Sequence, residues 1–136
     1  MAKYTYNETE GFKKGRDVGF EMRGAKTAQA LVDLAADHEM TRDLRQFLFE
    51  HCFAAVWARP GLERATRSII TISVLTALGR SEELKSHIRM GLNNGLTREQ
   101  LKEIFLHVGV YAGAPSAVSA VRAAMEEFAA LDKAKA

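Results

Sequence analysis

Apolar side chains recur along this chain at the three-to-four-residue spacing of a helix, and no β-branched segment alternates long enough to make a strand. Residues 9–23 are polar and interrupted by Gly11, Gly15 and Gly19, with Gly24 following. That composition predicts a marginal helix or arm, within an N-terminal stretch 1–26, that needs a partner surface. Residues 27–36 read as a short amphipathic helix with Ala30, Leu31 and Leu34 inward. Thr41 is placed to N-cap a helix over 41–57, apolar on nearly all sides through Leu44, Phe47, Leu48, Phe49, Cys52, Phe53 and Val56. Pro60 and Gly61 end it. The next helix, 63–78, is equally apolar in its second half, at Ile69, Ile70, Ile72, Val74, Leu75 and Leu78.

After Gly79 a helix over 81–94 buries Leu84, Ile88 and Leu92, with Gly95 as its C-terminal glycine. Thr97 and Gln100 spell a capping box for the following helix, whose stripe is Leu101, Ile104, Phe105, Val108, Tyr111 and Ala112. Gly113 stops it. Pro115 suits the first turn of a last helix with Val118, Val121, Met125 and Phe128 inward, and residues 132–136 form a frayed tail. The expectation is all-α: one domain over 1–136, a compact bundle of about six helices. Two helices apolar on nearly every side exceed what one small bundle covers, so the chain is expected to be a homo-oligomer.

Composition narrows the function classes. At 136 residues, 47% hydrophobic and 26% charged, the chain has the profile of a soluble globular domain. Its 19 basic residues are spread among 17 acidic ones, so the net charge of +2 does not argue for a nucleic-acid surface. The segment PSAVSAVRAAMEEF, as a recognition helix, has one arginine against two glutamates, poor material for phosphate contact. No run approaches the roughly 20 apolar residues of a membrane span, and the N-terminus lacks a signal-peptide core. A cytoplasmic location is expected, and the single cysteine, Cys52, fits a reducing compartment and excludes a two-cysteine relay.

Candidate chemistry centres on Glu83 and His87, which at i and i+4 are neighbours on a helix surface. His87 falls about 60° from Leu84, on the border of the buried stripe, where an imidazole is partly desolvated yet reachable. Such pairs are also common as surface charge pairs worth only a few tenths of a kcal/mol. Glu103 and His107 repeat the spacing one helix later, with His107 beside Ile104 and Tyr111. His51 falls inside an apolar stripe, the position of a core or interface histidine, and His38 in a polar junction. Arg59, fixed by the following proline, projects from a defined corner where it is able to clamp a carboxylate or bond a helix end. The spacings of di-iron bundles and zinc proteases do not occur, nor does a P-loop or a dinucleotide fingerprint, so no metal and no cofactor are expected.

Five motifs then occur in order: W-A-R-P-G-L (57–62), T-R-S-I-I-T (66–71), E-E-L-K-S-H (82–87), L-N-N-G-L-T (92–97) and Y-A-G-A-P-S-A (111–117). Together they resemble the γ-carboxymuconolactone decarboxylase branch of the carboxymuconolactone decarboxylase family. The resemblance implies an all-helical subunit in a hexamer, a trimer of dimers. It also implies a cofactor-free carboxy-lyase of aromatic-compound degradation. Its substrate would be an anionic, unsaturated lactone bearing two carboxylates, with no nucleic-acid or membrane partner. The catalytic roles implied fall on His87 for proton delivery and Glu83 for orienting it. Arg59 is the carboxylate clamp, and His107 or Tyr111 the donor near the carbonyl. The peroxide-detoxifying branch carries C-x-x-C-x-x-x-H, and this chain has Arg80 and Glu83 where those cysteines stand. The decarboxylase pattern itself often carries Glu two residues before the tryptophan and Cys after the tyrosine. Ala55 and Ala112 occupy those places, which points to a different lactone acid or to a relative that serves as a helical binding protein.

Overall fold

The stretch expected to be least regular opens the structure with a well-capped helix. In the computed structural model, which describes residues 3–136, the Thr9 hydroxyl accepts a bond from the Phe12 amide at 3.1 Å and starts α1 (Glu10–Arg23). Gly15 and Gly19 do not weaken α1 so much as let a neighbour in. A Cβ on Gly15 would lie 1.8 Å from the Phe49 carbonyl oxygen, and one on Gly19 would lie 3.0 Å from the Phe49 ring. The marginal arm of the sequence reading is therefore a helix whose glycine face is its contact surface.

That contact is made with a continuation of α3. After α2 (Ala25–Ala35), α3 (Glu39–Phe47) passes without loss of helical dihedrals into a π-wound segment, Leu48–Trp57. Its wider turn closes bonds five residues apart, as from the Ala58 amide to the Phe53 carbonyl at 3.0 Å. Thr41 is not the N-cap. The helix starts earlier, with His38 Nδ1 accepting from the Met40 amide, while the Thr41 hydroxyl donates to Ala35 O at 2.7 Å. Phe12, Phe49 and Phe53 pack ring against ring, with centroids 5.4 and 5.9 Å apart. On α2 the buried face is Ala28, Val32 and Ala35, whereas Ala30 and Leu34, expected inward, are exposed. Val32 is drawn in because its carbonyl accepts the Tyr6 hydroxyl at 2.8 Å.

Contacts divide the chain into two units, the one just described, which ends at Leu62, and Glu63–Ala136. The second holds α4 (Arg64–Ala77), α5 (Ser81–Asn93), α6 (Arg98–Ala112) and α7 (Ala114–Lys135), so seven helices occur among the described residues. α5 and α6 each pack on α4 and on α7. Ile72, Leu84, Ile88, Leu96, Leu101 and Phe105 form the apolar centre of one cluster with Ala120, Ala123 and Ala124 of α7. The Thr97–Gln100 capping box is present in full. On α7, however, Val118, Val121 and Met125 face out and the alanine stripe faces in. Small side chains let α7 approach its neighbours closely, and a Cβ on Gly109 would lie 2.8 Å from the Ala117 methyl. The residues expected to fray are wound into α7 as far as Lys135, with Asp132 bonded to Arg98 at 2.5 and 3.0 Å. No helix among the described residues is long and apolar enough to cross a membrane.

Candidate functional site

Helix α5 begins after the Gly79–Arg80 turn and carries Glu82 and Glu83 in its first turn, where carboxylates favour the positive end of the helix dipole. Leu84 and Ile88 anchor one side of it in the core, both at most 1% exposed. Glu83 and His87, one turn apart, flank that anchored face: Glu83 is exposed and His87 half-buried. Arg80, at the start of the same helix, places its Nη1 4.0 Å from the Glu83 carboxylate. A rigid helix with a half-desolvated imidazole and a wet carboxylate beside it is chemically suited to moving a proton.

What holds α5 rigid is polar as well as apolar. Arg89 Nε donates to the buried Glu127 of α7 at 2.5 Å, and Asn94 donates to the buried Ser68 hydroxyl of α4 at 2.9 Å. Lys85 bridges Glu82 at 3.2 Å and Glu126 of α7 at 2.7 Å. Three links on one helix fix its rotation about its own axis, and with it the direction in which His87 emerges.

His107 and Tyr111 lie together on α6, their rings stacked with centroids 5.3 Å apart. Tyr111, expected on the buried stripe, is 83% exposed, as are Ala112 and Val110 to a large degree. His107 lines a hollow of about 340 Å³ between α4 and α6 together with Ile69, Ser73, Glu103, Ile104 and Val108. Ser73 was not singled out in the sequence. Glu103 was visible only as a repetition of the Glu–His spacing. Because α5 and α6 are both held by α4 and α7, the Glu83–His87 and His107–Tyr111 pairs hang from separate helices.

In the first unit, Arg59 stands exposed in the turn after the π segment, its amide donating to Val56 O at 3.1 Å. His51, expected in a core or interface stripe, is exposed in the chain, with its ring tilted against Phe47 at 4.7 Å. Cys52 is half-buried, and burial pushes its thiol up from the ordinary value while the Trp57 side chain and Arg23 pull the other way. Among the described residues no three histidine, cysteine or carboxylate side chains converge as metal ligands would.

Comparison with known proteins identifies the family. The model of the carboxymuconolactone decarboxylase family matches residues 42–126. The chain is 40% identical over 122 residues to 4-carboxymuconolactone decarboxylase of Acinetobacter baylyi, covering 90% of each chain. It is 37% identical over 81 residues to the nitrosuccinic acid decarboxylase of Metarhizium robertsii, covering 60% of this chain and 57% of that one. An uncharacterized 15.0 kDa protein of Paracoccus denitrificans is 26% identical over 125 residues, 90% of this chain and 93% of the other. A family model spanning most of the chain and a relative at 40% identity over nearly all of it lead to one conclusion: this chain belongs to the carboxymuconolactone decarboxylase family.

Proposed function

We propose that the protein is a cofactor-independent carboxy-lyase acting on a small carboxylated, unsaturated lactone, with His87 delivering the proton and Glu83 orienting it. The observation that carries the reading is the likeness to a named 4-carboxymuconolactone decarboxylase across nearly the whole chain; the Glu83–His87 pair on α5 is this chain's own candidate for the chemistry. The nitrosuccinic acid decarboxylase supports the reaction type from a second direction. In nitrosuccinic acid one carboxylate sits on the carbon bearing the nitro group, and in a carboxylated butenolide the ring supplies a conjugated carbonyl. Each acid thus carries its own electron sink.

In the proposed reaction the carbon–carboxylate bond breaks and carbon dioxide leaves. The bonding pair flows through the ring alkene to the lactone carbonyl, giving a dienolate. The imidazolium of His87 then protonates carbon, the electrons return, and the neutral imidazole regains a proton from solvent. The protein's tasks are to hold the remote carboxylate, assigned to Arg59, and to stabilise the oxyanion, assigned to His107 or Tyr111. Apolar walls beside the departing group favour its release as a neutral molecule. Ala55 and Ala112, both exposed, leave room for a lactone acid that differs from the one named for the Acinetobacter relative.

We extend the proposal to assembly. Ile70, Val74 and Leu78 on α4 and Leu106, Val110 and Tyr111 on α6 are exposed in the isolated chain, more apolar surface than a monomer keeps open. A homo-oligomer of cytoplasmic location, a hexamer by family resemblance, is the corresponding reading.

The test is carbon dioxide release from a panel of carboxylated butenolides. His87→Gln is expected to lower kcat by about 10²-fold or more, the usual worth of a positioned general acid. Glu83→Gln is expected to lower it less. Full turnover by the His87 variant would remove the proton-delivery assignment, and no release from any member of the panel by the wild type would remove the activity.

A further inference from the structure

A second set of residues, wholly within the first unit, has the chemistry of an anion site. Arg23 in the last turn of α1 and Arg45 on α3 lay their guanidiniums over neighbouring rings of the π segment, Phe53 and Phe49, each 5.9 Å from the centroid. The two rings are themselves 5.9 Å apart, so the two positive charges occupy adjoining places. The Nε of each arginine is buried with no acceptor among the described residues.

Several acids in the same unit are engaged elsewhere. Asp43 holds Arg42 at 2.9 Å, Asp33 accepts from Gln29 at 2.8 Å, and Glu50 accepts from Thr9 and Gln46. Glu8 and Glu10 are paired with Arg16 and Lys13. Arg23 and Arg45 therefore stand as like charges, partly desolvated, each with a ring face as its partner. Burial first, and Arg45 second, pull the Arg23 guanidinium below its ordinary pKa. Two such cations side by side cost free energy that a bound anion would recover.

Arg45 also edges a hollow of about 170 Å³ between α2 and α3. Its other walls are Leu31, Leu34, Ala35 and Leu44, with Thr41 at the side. The Thr41 hydroxyl already donates to the Ala35 and His38 carbonyls. The guanidinium is thus the donor in this hollow able to meet an anion, and everything opposite it is hydrocarbon. Inorganic phosphate or sulfate would satisfy the charge and leave those walls unmatched.

We infer that this hollow binds a small organic carboxylate, its head on the Arg45 guanidinium with the Arg23 charge beside it, and a compact apolar body against Leu31, Leu34 and Leu44. The site stands on the first unit alone and does not depend on the decarboxylase reading.

Benzoate is the probe, tested on the full chain by calorimetric titration and thermal melting at fixed ionic strength, against benzyl alcohol and inorganic sulfate. Benzoate is expected to bind saturably and to raise Tm in proportion to the logarithm of its concentration above Kd. Benzyl alcohol and sulfate should do neither. Arg45→Gln should weaken benzoate about tenfold or more, the worth of a charge-assisted hydrogen bond, and Arg23→Gln several-fold. Arg45→Lys, which keeps the charge, should retain an intermediate affinity and guards against a variant that merely misfolds. An equal response to benzyl alcohol would make this an uncharged apolar pocket, and an equal response to sulfate an anion site without a body-binding wall. Unchanged benzoate affinity in a folded Arg45→Gln protein would also overturn the inference. So would absent benzoate binding in a wild type whose mass by light scattering falls on Arg45→Gln, since a second copy's carboxylate would then be the occupant.

Discussion

In the unit ending at Leu62, α1 meets the π segment through Gly15 and Gly19 on one side and aromatic rings on the other. In Glu63–Ala136, by contrast, α4 to α7 close on one another mainly through leucine, isoleucine and alanine, with Phe105 among them and no comparable ring stack at the centre among the described residues. The first arrangement depends on two backbones coming within touching distance, and the second on interdigitated aliphatic side chains. A backbone cannot move aside for an added atom, whereas the tip of an aliphatic side chain can. The two units should therefore respond very differently to the same substitution.

Gly15→Val gives the largest effect. Its Cβ would sit 1.8 Å from the Phe49 oxygen and 2.5 Å from the carbonyl carbon, so α1 must leave the π segment. A loss exceeding about 3 kcal/mol is expected, beyond the ordinary cost of overpacking. Helical circular dichroism and proteolysis at the N-terminal side check it, and a folded, protease-resistant variant would break the comparison. In the second unit, Ile88→Ala, at a fully buried site, should cost about 2–5 kcal/mol by the removed methylenes and the cavity left, read from denaturant midpoints.

Gly91→Ala sharpens the contrast with Gly15. Its Cβ would meet the Ile72 and Leu96 methyls at 3.0 and 3.2 Å, side-chain tips that can rotate away. Alanine gains about 1 kcal/mol of helix propensity over glycine, so the net change should stay within about 1 kcal/mol. Thr97→Ala should cost about 1 kcal/mol by removing the hydroxyl that accepts from the Gln100 amide, while the Thr97 amide can still donate to the Gln100 side chain. The smallest effect is kinetic and belongs to the first unit. Since burial raises the Cys52 pKa and the thiolate is the nucleophile, its alkylation rate should rise with pH later than that of a free thiol. A midpoint below that of a free thiol would mean that the Trp57 bond and the Arg23 charge outweigh burial.

The candidate residues were legible to different depths. Spacing alone made Glu83 and His87 neighbours, because residues one turn apart are set by the helix itself, but it took the family resemblance to separate them from a surface charge pair. The His107 hollow was not legible, since Ser73 and Ile69 reach it only through the packing of α4 on α6. Arg23 and Arg45 were invisible for the same reason: twenty-two positions apart, they become neighbours through the rings they cover.

Periodicity, capping residues and ordered motifs were enough to determine an all-α chain, most of its helix ends and its family, because those signals act within a few residues of one another. Tertiary structure alone decided which face of α1, α2 and α7 turned inward, whereas the buried stripe of α5 was legible in the sequence. α7 offers two apolar stripes, Val118, Val121 and Met125 on one and Ala120, Ala123 and Ala124 on the other, and packing against its neighbours turned the alanines inward. The same holds for α1, whose glycines read as weakness in isolation and became a contact surface only against the Phe49 backbone.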